Sequence, residues 1–364
     1  MSEKKKILIS GGGTGGHIFP ALSIADVCRR RFDAEILFVG AKGRMEMERV
    51  PAAGYEIIGL EVAGFNRKNL LKNIGVLFKL YKSIRLAKKI VKDFKPDIAI
   101  GVGGYASGPT LKAAQKAGVP TLLQEQNSYA GVTNKLLAKG ARCIGVAYKD
   151  MERFFPAEKI VETGNPIRKA LTEQRPSVED ARKKFGLDPE KPVVLSVGGS
   201  LGALSVNEAM EKAVATLSEK GIQVIWQTGK HFIERAEKAA EGLPGVVVAP
   251  FLSDMPSAYA AATLVVSRAG AGTISELELL GKSCILIPSP NVAEDHQTKN
   301  ARALSSRGAA EFIADNECRE RLLPVILDLI EDDSKLQSMS EEILKLAMTE
   351  SDEKIADEIE KIIG

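Results

Sequence analysis

The sequence predicts an α/β protein of two Rossmann-like domains, each built on a parallel sheet, facing each other across a cleft. Three observations carry that prediction. Short β-branched runs alternate with longer helical stretches, the pattern of parallel strands joined by helices. The series starts twice, and each time a strand runs into a glycine loop, GGGTGG in the first half and GGSLGA in the second. A chain of 364 residues is also long enough for two domains that each bury a core.

Taken in order, the first series of strands is Ile7–Ser10, Ile36–Val39, Ile57–Leu60, Ile98–Val102, Thr121–Gln124 and Ile144–Ala147. The second is Val193–Val197, Val224–Gln227, Val246–Ala249, Leu264–Ser267, Cys284–Ile287 and Ala310–Ile313. Between them VETGNPIR, Val161–Arg168, carries an Asn-Pro step that reads as a turn between compact units. The domains are therefore expected at 1–163 and 164–344, with a charged helix at about 345–364 that can pack back on the first. Ligands of such sheets bind at the carboxyl ends of the strands, so the chemistry is sought in the loops there.

Composition excludes several classes. A net charge of +3, with no basic and aromatic module, gives no sign of a nucleic-acid partner. Cys28, Cys143, Cys284 and Cys318 lie far apart without metal-ligand spacing, as expected of reduced, buried thiols. The apolar run after the first lysines stops within four residues, too short for a signal peptide. Nothing approaches the ~20 apolar residues that span a bilayer, so any work at a membrane is done from its surface.

The first loop, Ser10–Pro20, reads SGGGTGGHIFP. Glycine there permits positive φ and close backbone approach, and the amides opening the next helix favour an anion. His17 adds a titratable group. Gly11, Gly13 and Gly16 fit G-x-G-x-x-G, yet the second strand ends FVGAKG without the acid that would hold a ribose, which argues against a dinucleotide. GVGGYASGP, Gly101–Pro109, can complete a diphosphate cradle or simply make a tight turn. Gln124, Glu125, Gln126 and Asn127 form a polar cluster suited to sugar hydroxyl and acetamido groups, with a structural carboxylate as the alternative for Glu125. In the second half, Ser200 lies in a further phosphate loop. Thr273 and Glu276 sit at the start of a helix, where a carboxylate can hold ribose hydroxyls or cap the helix. Asp295, His296 and Gln297 follow another strand, and His231 has no evident role.

Leu70–Phe94 has more apolar surface than one sheet contact requires. At ~100° per residue, Val76, Leu80, Ile84, Ala87, Val91 and Phe94 share one face, expected in the core. Leu70, Ile74, Leu77, Phe78 and Tyr81 share another, continued by Lys82, Arg85, Lys88, Lys89 and Lys92. An apolar face beside cations suits a helix lying among anionic headgroups, and packing under a neighbouring loop is the equal alternative.

Together and in this order, GGGTGGHIFPAL, GVGGYASGP, QEQNSYAGVTNK, GNPIR, GGSLGA, SRAGAGTISE and DHQTKNA closely resemble the motifs of the MurG family of bacterial N-acetylglucosaminyltransferases, over nearly the whole chain. The resemblance implies a GT-B glycosyltransferase fold. It implies inverting transfer of N-acetylglucosamine from UDP-N-acetylglucosamine (UDP-GlcNAc) to the C4 hydroxyl of undecaprenyl-diphosphate-linked N-acetylmuramyl pentapeptide (lipid I), a step of peptidoglycan synthesis. It further implies peripheral work at the cytoplasmic face of the plasma membrane, on an anionic surface, with other cell-wall synthesis proteins as candidate partners.

For the donor the resemblance implies Glu276 on the ribose, Ser200 and Arg168 near the diphosphate or sugar, and Leu252 backbone at the uracil. Ala271, Gly272 and Thr273 would approach the phosphates, Gln297 and Asn127 the sugar, with Thr14, Gly15 and Gly16 completing the surroundings. The family often has two adjacent glutamines where this chain has Gln297 and Thr298, which puts one amide contact in doubt. The acceptor diphosphate is expected at Gly13, Thr14, Gly16, Gly103, Gly104 and Tyr105. His17 is the expected base and Glu125 its rival. The membrane patch becomes Ile74, Leu77, Phe78, Tyr81, Lys82 and Arg85. No D-x-D pair offers a metal anchor, so no cofactor is expected, and helix amides with Arg168 are expected to neutralise the leaving group. A UDP-N-acetylglucosamine epimerase and a non-catalytic UDP-sugar-binding partner remain the alternatives.

Overall fold

The computed structural model describes residues 4–62, 74–167, 171, 175–199, 201–292 and 295–364, and the side chains of all of these except 74–77. The chain divides into two compact units, Met1–Arg168 with Met348–Gly364, and Lys169–Ala347. The division falls a few residues beyond the expected 163/164, and the tail rejoins the first unit from Met348 rather than about 345.

The first unit holds β1 (Lys6–Ser10), α1 (Gly15–Phe32), β2 (Glu35–Ala41), α2 (Glu46–Ala52), β3 (Glu56–Leu60), α3 (Ile74–Phe94), β4 (Ile98–Gly101), α4 (Ser107–Lys116), β5 (Thr121–Glu125), α5 (Val132–Leu137), β6 (Cys143–Val146) and β7 (Ile160–Glu162). Its sheet runs β3-β2-β1-β4-β5-β6-β7, and every pairing is parallel. β7 is the one strand that the sequence pattern does not reveal: a three-residue edge strand that overlaps the start of the stretch read as a turn.

The second unit holds α6 (Val178–Lys184), β8 (Val193–Val197), α7 (Leu204–Glu219), β9 (Gln223–Gln227), α8 (Ile233–Ala239), β10 (Val246–Ala249), α9 (Met255–Ala261), β11 (Leu264–Ser267), α10 (Ala271–Leu280), β12 (Cys284–Leu286), α11 (His296–Ser305), β13 (Glu311–Phe312), α12 (Cys318–Ile330) and α13 (Asp333–Leu344). Its sheet runs β10-β9-β8-β11-β12-β13, again all parallel. The last helix, α14 (Ser351–Ile363), belongs to the first unit.

Alternation along β1 explains how the first unit is layered, because successive strand side chains point to opposite faces. Leu8 joins one cluster with Ala87, Val91 and Leu111 from α3 and α4. Ile7 and Ile9 join another with Ile18 and Ile24 of α1 and with Ile355 and Ile359 of α14. The tail is thus core: Ile355, Ala356 and Ile359 are fully buried. Arg31 fixes its outer side, reaching Asp357 and Glu360 at 2.5 Å each.

Both sheets reverse their strand order at one point, where β1 lies beside β4 (Ser10 opposite Gly101) and β8 beside β11 (Val197 opposite Ser267). Loops after such neighbours part to opposite sides of the sheet and leave a crevice at the carboxyl ends. The glycine loops stand at those two points.

α3 turns inward a face that overlaps the expected one, with Ala87 and Val91 buried and Phe94 packed on the core, but rotated toward Ser83. Ser83, Ala87, Ile90 and Val91 are buried, and the Ser83 hydroxyl donates to the Glu61 carbonyl at 2.9 Å. Ile84, expected in the core, is 37% exposed. The inward face keeps Ala87 and Val91 of the expected stripe and gains Ser83, whose hydroxyl has its partner inside.

Candidate active site

At the first switch point the loop after β1 is held from within. Glu46, the first residue of α2, is 1% exposed, and its carboxylate accepts from the Gly13 amide at 3.1 and 3.0 Å and from the Ala41 amide at 3.0 Å. This corrects the expectation that the Gly13 amide serves an acceptor diphosphate: its hydrogen already has an anionic partner inside the protein. The amides opening α1, at Gly15 and Gly16, belong to the helix turn that has no intrahelical acceptors. Thr14 precedes that turn in extended backbone, and its hydroxyl lies 3.1 Å from His17 Nδ1.

The loop after β4 packs directly on this one. Gly103 and Gly104 have φ of +91° and +84°. A Cβ on Gly104 would stand 2.4 Å from the Gly12 carbonyl oxygen, and one on Gly103 would stand 3.0 Å from His17 Nε2. Only glycine fits there, and His17 Nε2 packs against Gly103 because that residue has no side chain. Tyr105 is 58% exposed, and the Thr133 hydroxyl donates to the Gly104 carbonyl at 3.3 Å.

The Gln124–Asn127 cluster proves largely internal. Glu125 is 2% exposed and accepts from the Asn127 amide and Nδ2 at 3.2 Å each, from Gly131 N at 3.0 Å and from Asn134 Nδ2 at 2.9 Å. With four donors on its two oxygens it fastens the loop that leads into α5, the structural role weighed against that of a base. Gln124 and Gln126 are equally buried: Gln124 Nε2 donates to Asn165 Oδ1 at 3.1 Å, and Asn165 Nδ2 to the Gln126 carbonyl at 3.1 Å. Side chains that resembled sugar ligands satisfy one another. Asn127, half-buried, alone of the four lies near the surface.

At the second switch point, Gly270 leads into α10 in extended backbone. A Cβ on Gly272 would meet nothing within 4 Å, so the first turn of α10 has open space beside it. Thr273 is half-buried on this turn, and Ala271 is buried beneath it. One turn further, Glu276 Oε2 accepts from the buried Tyr259 hydroxyl at 2.8 Å, which orients the carboxylate. Gln297 opens α11, and its Oε1 accepts from the Ser289 amide at 2.8 Å, so its Nε2 is turned away as a donor. Leu252 is 7% exposed in the loop after β10. Arg168 and Ser200 lie outside the described residues.

Three residues that position the loops of one unit or the other were not singled out from the sequence. Tyr259 is a plain helix residue 17 positions before its partner. Arg268 Nη1 donates to the carbonyls of Ile287 and Pro288 at 3.1 Å each and to Asp315 at 2.5 Å, tying the ends of β11 and β12 together just ahead of α10. Glu46 is the third, 33 residues from Gly13.

On α3, Phe78 and Tyr81 are 61% and 64% exposed, with Lys82 and Arg85 exposed beside them. The side chains of Ile74 and Leu77 lie outside the described residues. No described helix is long and apolar enough to cross a membrane. All four cysteines are buried and unbonded, and burial pushes the Cys28 and Cys143 thiols up to about 12.

Against known proteins, residues 7–146 match the glycosyltransferase family 28 N-terminal domain and residues 193–359 the glycosyltransferase family 28 C-terminal domain. A curated relative from Phocaeicola vulgatus is 58% identical over 366 residues, covering 100% of this chain and 97% of its own. One from Bacteroides thetaiotaomicron is 56% identical over 367 residues, covering 100% and 99%. Both are named UDP-N-acetylglucosamine–N-acetylmuramyl-(pentapeptide) pyrophosphoryl-undecaprenol N-acetylglucosamine transferase. Among solved structures, that of Acinetobacter baumannii MurG superposes with a TM-score of 0.79 at 28% identity, covering 98% of this chain and 99% of its own.

Proposed function

This chain belongs to glycosyltransferase family 28, and we propose that its first unit receives a lipid-linked acceptor while its second holds the sugar nucleotide. It has the GT-B fold and is an N-acetylglucosaminyltransferase of peptidoglycan synthesis, moving the sugar from UDP-GlcNAc to lipid I. The observation that carries this activity is the likeness to transferases of that name from end to end.

In the mechanism we propose, the acceptor C4 hydroxyl attacks the anomeric carbon as the bond to the UDP oxygen breaks, inverting that centre, and its proton passes to His17. The Thr14 hydroxyl, 3.1 Å from Nδ1, supports the assignment by fixing the ring on the first loop, with Nε2 towards Gly103. The amides opening α10, with open space beside Gly272, suit the departing diphosphate, and Glu276, oriented by Tyr259, suits the ribose hydroxyls. Gln297 Nε2 and Asn127 remain the proposed contacts to the sugar. Neutralising the leaving group in this way calls for no metal, so a chelator should leave turnover within about twofold, where metal-assisted transfer would lose orders of magnitude.

The exposed Phe78, Tyr81, Lys82 and Arg85 support contact with an anionic membrane surface at its cytoplasmic side, where the lipid acceptor would be met. Replacing Phe78 and Tyr81 by serine should weaken binding to phosphatidylglycerol vesicles while UDP binding is unchanged; vesicle binding equal to wild type returns the stripe to an ordinary surface. The activity is tested by incubation with labelled UDP-GlcNAc and a short-chain lipid acceptor. Label in the lipid product is expected. An epimer formed from UDP-GlcNAc alone, without transfer, overturns the reading.

A further inference from the structure

Burying a carboxylate is costly, and it is tolerated where hydrogen bonds replace the lost water. Glu46 is such a group, with no cation among the described residues within 4.0 Å of it and only the amides of Gly13 and Ala41 as donors. Three glycines lie against the space it and its peptide take up. A Cβ on Gly12 would stand 2.2 Å from Glu46 Oε1, one on Gly40 would stand 2.6 Å from Glu46 Cγ, and one on Gly104 would meet the Gly12 carbonyl. An apolar side chain at position 46 would fill the volume without any need for the charge.

What the charge adds is a direction. In a trans peptide the N–H and C=O point opposite ways. Turning the Gly13 N–H inward to Glu46 therefore turns the Gly12 carbonyl outward, against Gly104. The neighbouring Gly103 borders His17 Nε2. We propose that Glu46 is a positioning residue: it sets the Gly12–Gly13 peptide, on which the Gly103–Gly104 loop seats and against which His17 takes its catalytic place. The inference rests on the reading of His17 as the base.

Glu46→Gln keeps the shape but presents an amide N–H₂ where one oxygen accepted. In the full-length protein, kcat for transfer to the short-chain acceptor should fall by ~10- to ~100-fold, the cost of a small misplacement of reacting groups, while KM for UDP-GlcNAc and UDP affinity stay within ~2-fold. In a His17→Ala background the same change should cost less than ~3-fold, because there is no imidazole left to misplace. Wild-type kcat in folded E46Q overturns the proposal, as do losses that multiply in the double variant. Near-normal turnover of H17A refutes the base reading instead, so the two failures are distinct. If E46Q does not fold, Gly12→Ala displaces the same carboxylate from the other side and must give the same split between kcat and donor KM.

Discussion

The loops entering α1 and α10 both stand where a parallel sheet reverses its strand order, on opposite members of the central strand pair, and they use their glycines in opposite ways. In the first, the missing side chain of Gly12 makes room for Glu46, and the Gly12 carbonyl in turn fills the place of a Cβ on Gly104 of the neighbouring loop, although a Cβ on Gly13 would meet nothing within 4 Å. In the second, the space beside Gly272 is open, and the carboxylate, Glu276, lies a turn beyond rather than under the loop. A glycine loop therefore does not by itself say that a phosphate binds; the nearest atom to the absent side chain does. On the proposed mechanism, the first loop aims a histidine and the second admits a ligand.

Four measurements break or sharpen this contrast. The largest effect is expected from His17→Ala, which should lower kcat by ~10²- to ~10⁴-fold with donor KM nearly constant, the range for loss of a general base. A loss in donor affinity instead would make the two loops alike. Glu276→Ala removes the charged acceptor proposed for the ribose, and should raise KM for UDP-GlcNAc by ~10- to ~100-fold with a smaller change in kcat. Gly272→Ala separates stability from binding. Alanine inside a helix is worth up to ~1 kcal/mol over glycine, so the melting temperature should rise while donor affinity falls as the methyl enters the ligand's space. Gly12→Ala, at φ +143°, should instead lower the melting temperature and spare donor affinity.

The smallest effect concerns pH. Burial pushes the Glu278 carboxyl, on α10, up to about 8 from 4.5, opposed in part by Arg307. The folded protein thus holds this proton more tightly than the unfolded chain. The stability it confers is complete below 4.5 and is lost as pH rises through about 8. Glu278→Gln, neutral throughout, should match wild type in thermal melting near pH 4.5 and exceed it above about 8. Equal melting temperatures at both ends would mean that the carboxyl is solvated.

Strands were legible because runs such as VVLSV and ILIS are buried on both faces and admit no other reading; β7 was not, being three residues of an exposed edge. The switch-point loops were legible because glycine at a strand end is rare without cause. What the sequence could not show was which polar residues face each other. Gln124, Gln126 and Asn165 are spread over 41 residues and meet only once β5, β6 and β7 are aligned in one sheet. Glu46, in a charged run, has the look of a surface residue until α2 folds under the first loop. Polar side chains at the end of a strand are equally suited to a ligand and to one another, and only tertiary distance separates the cases.

The return of α14 to the first unit sets an order on biosynthesis. Ile355 and Ile359 complete the core that contains β1, yet they are made only after the whole second unit has been translated. The half bearing His17 must therefore wait with an uncovered apolar face while the other half can fold as it emerges. Premature termination or proteolysis near Met348 would spare the second unit and strip the first of part of its core, and on the proposed division of roles it would leave a polypeptide that captures UDP-GlcNAc without spending it.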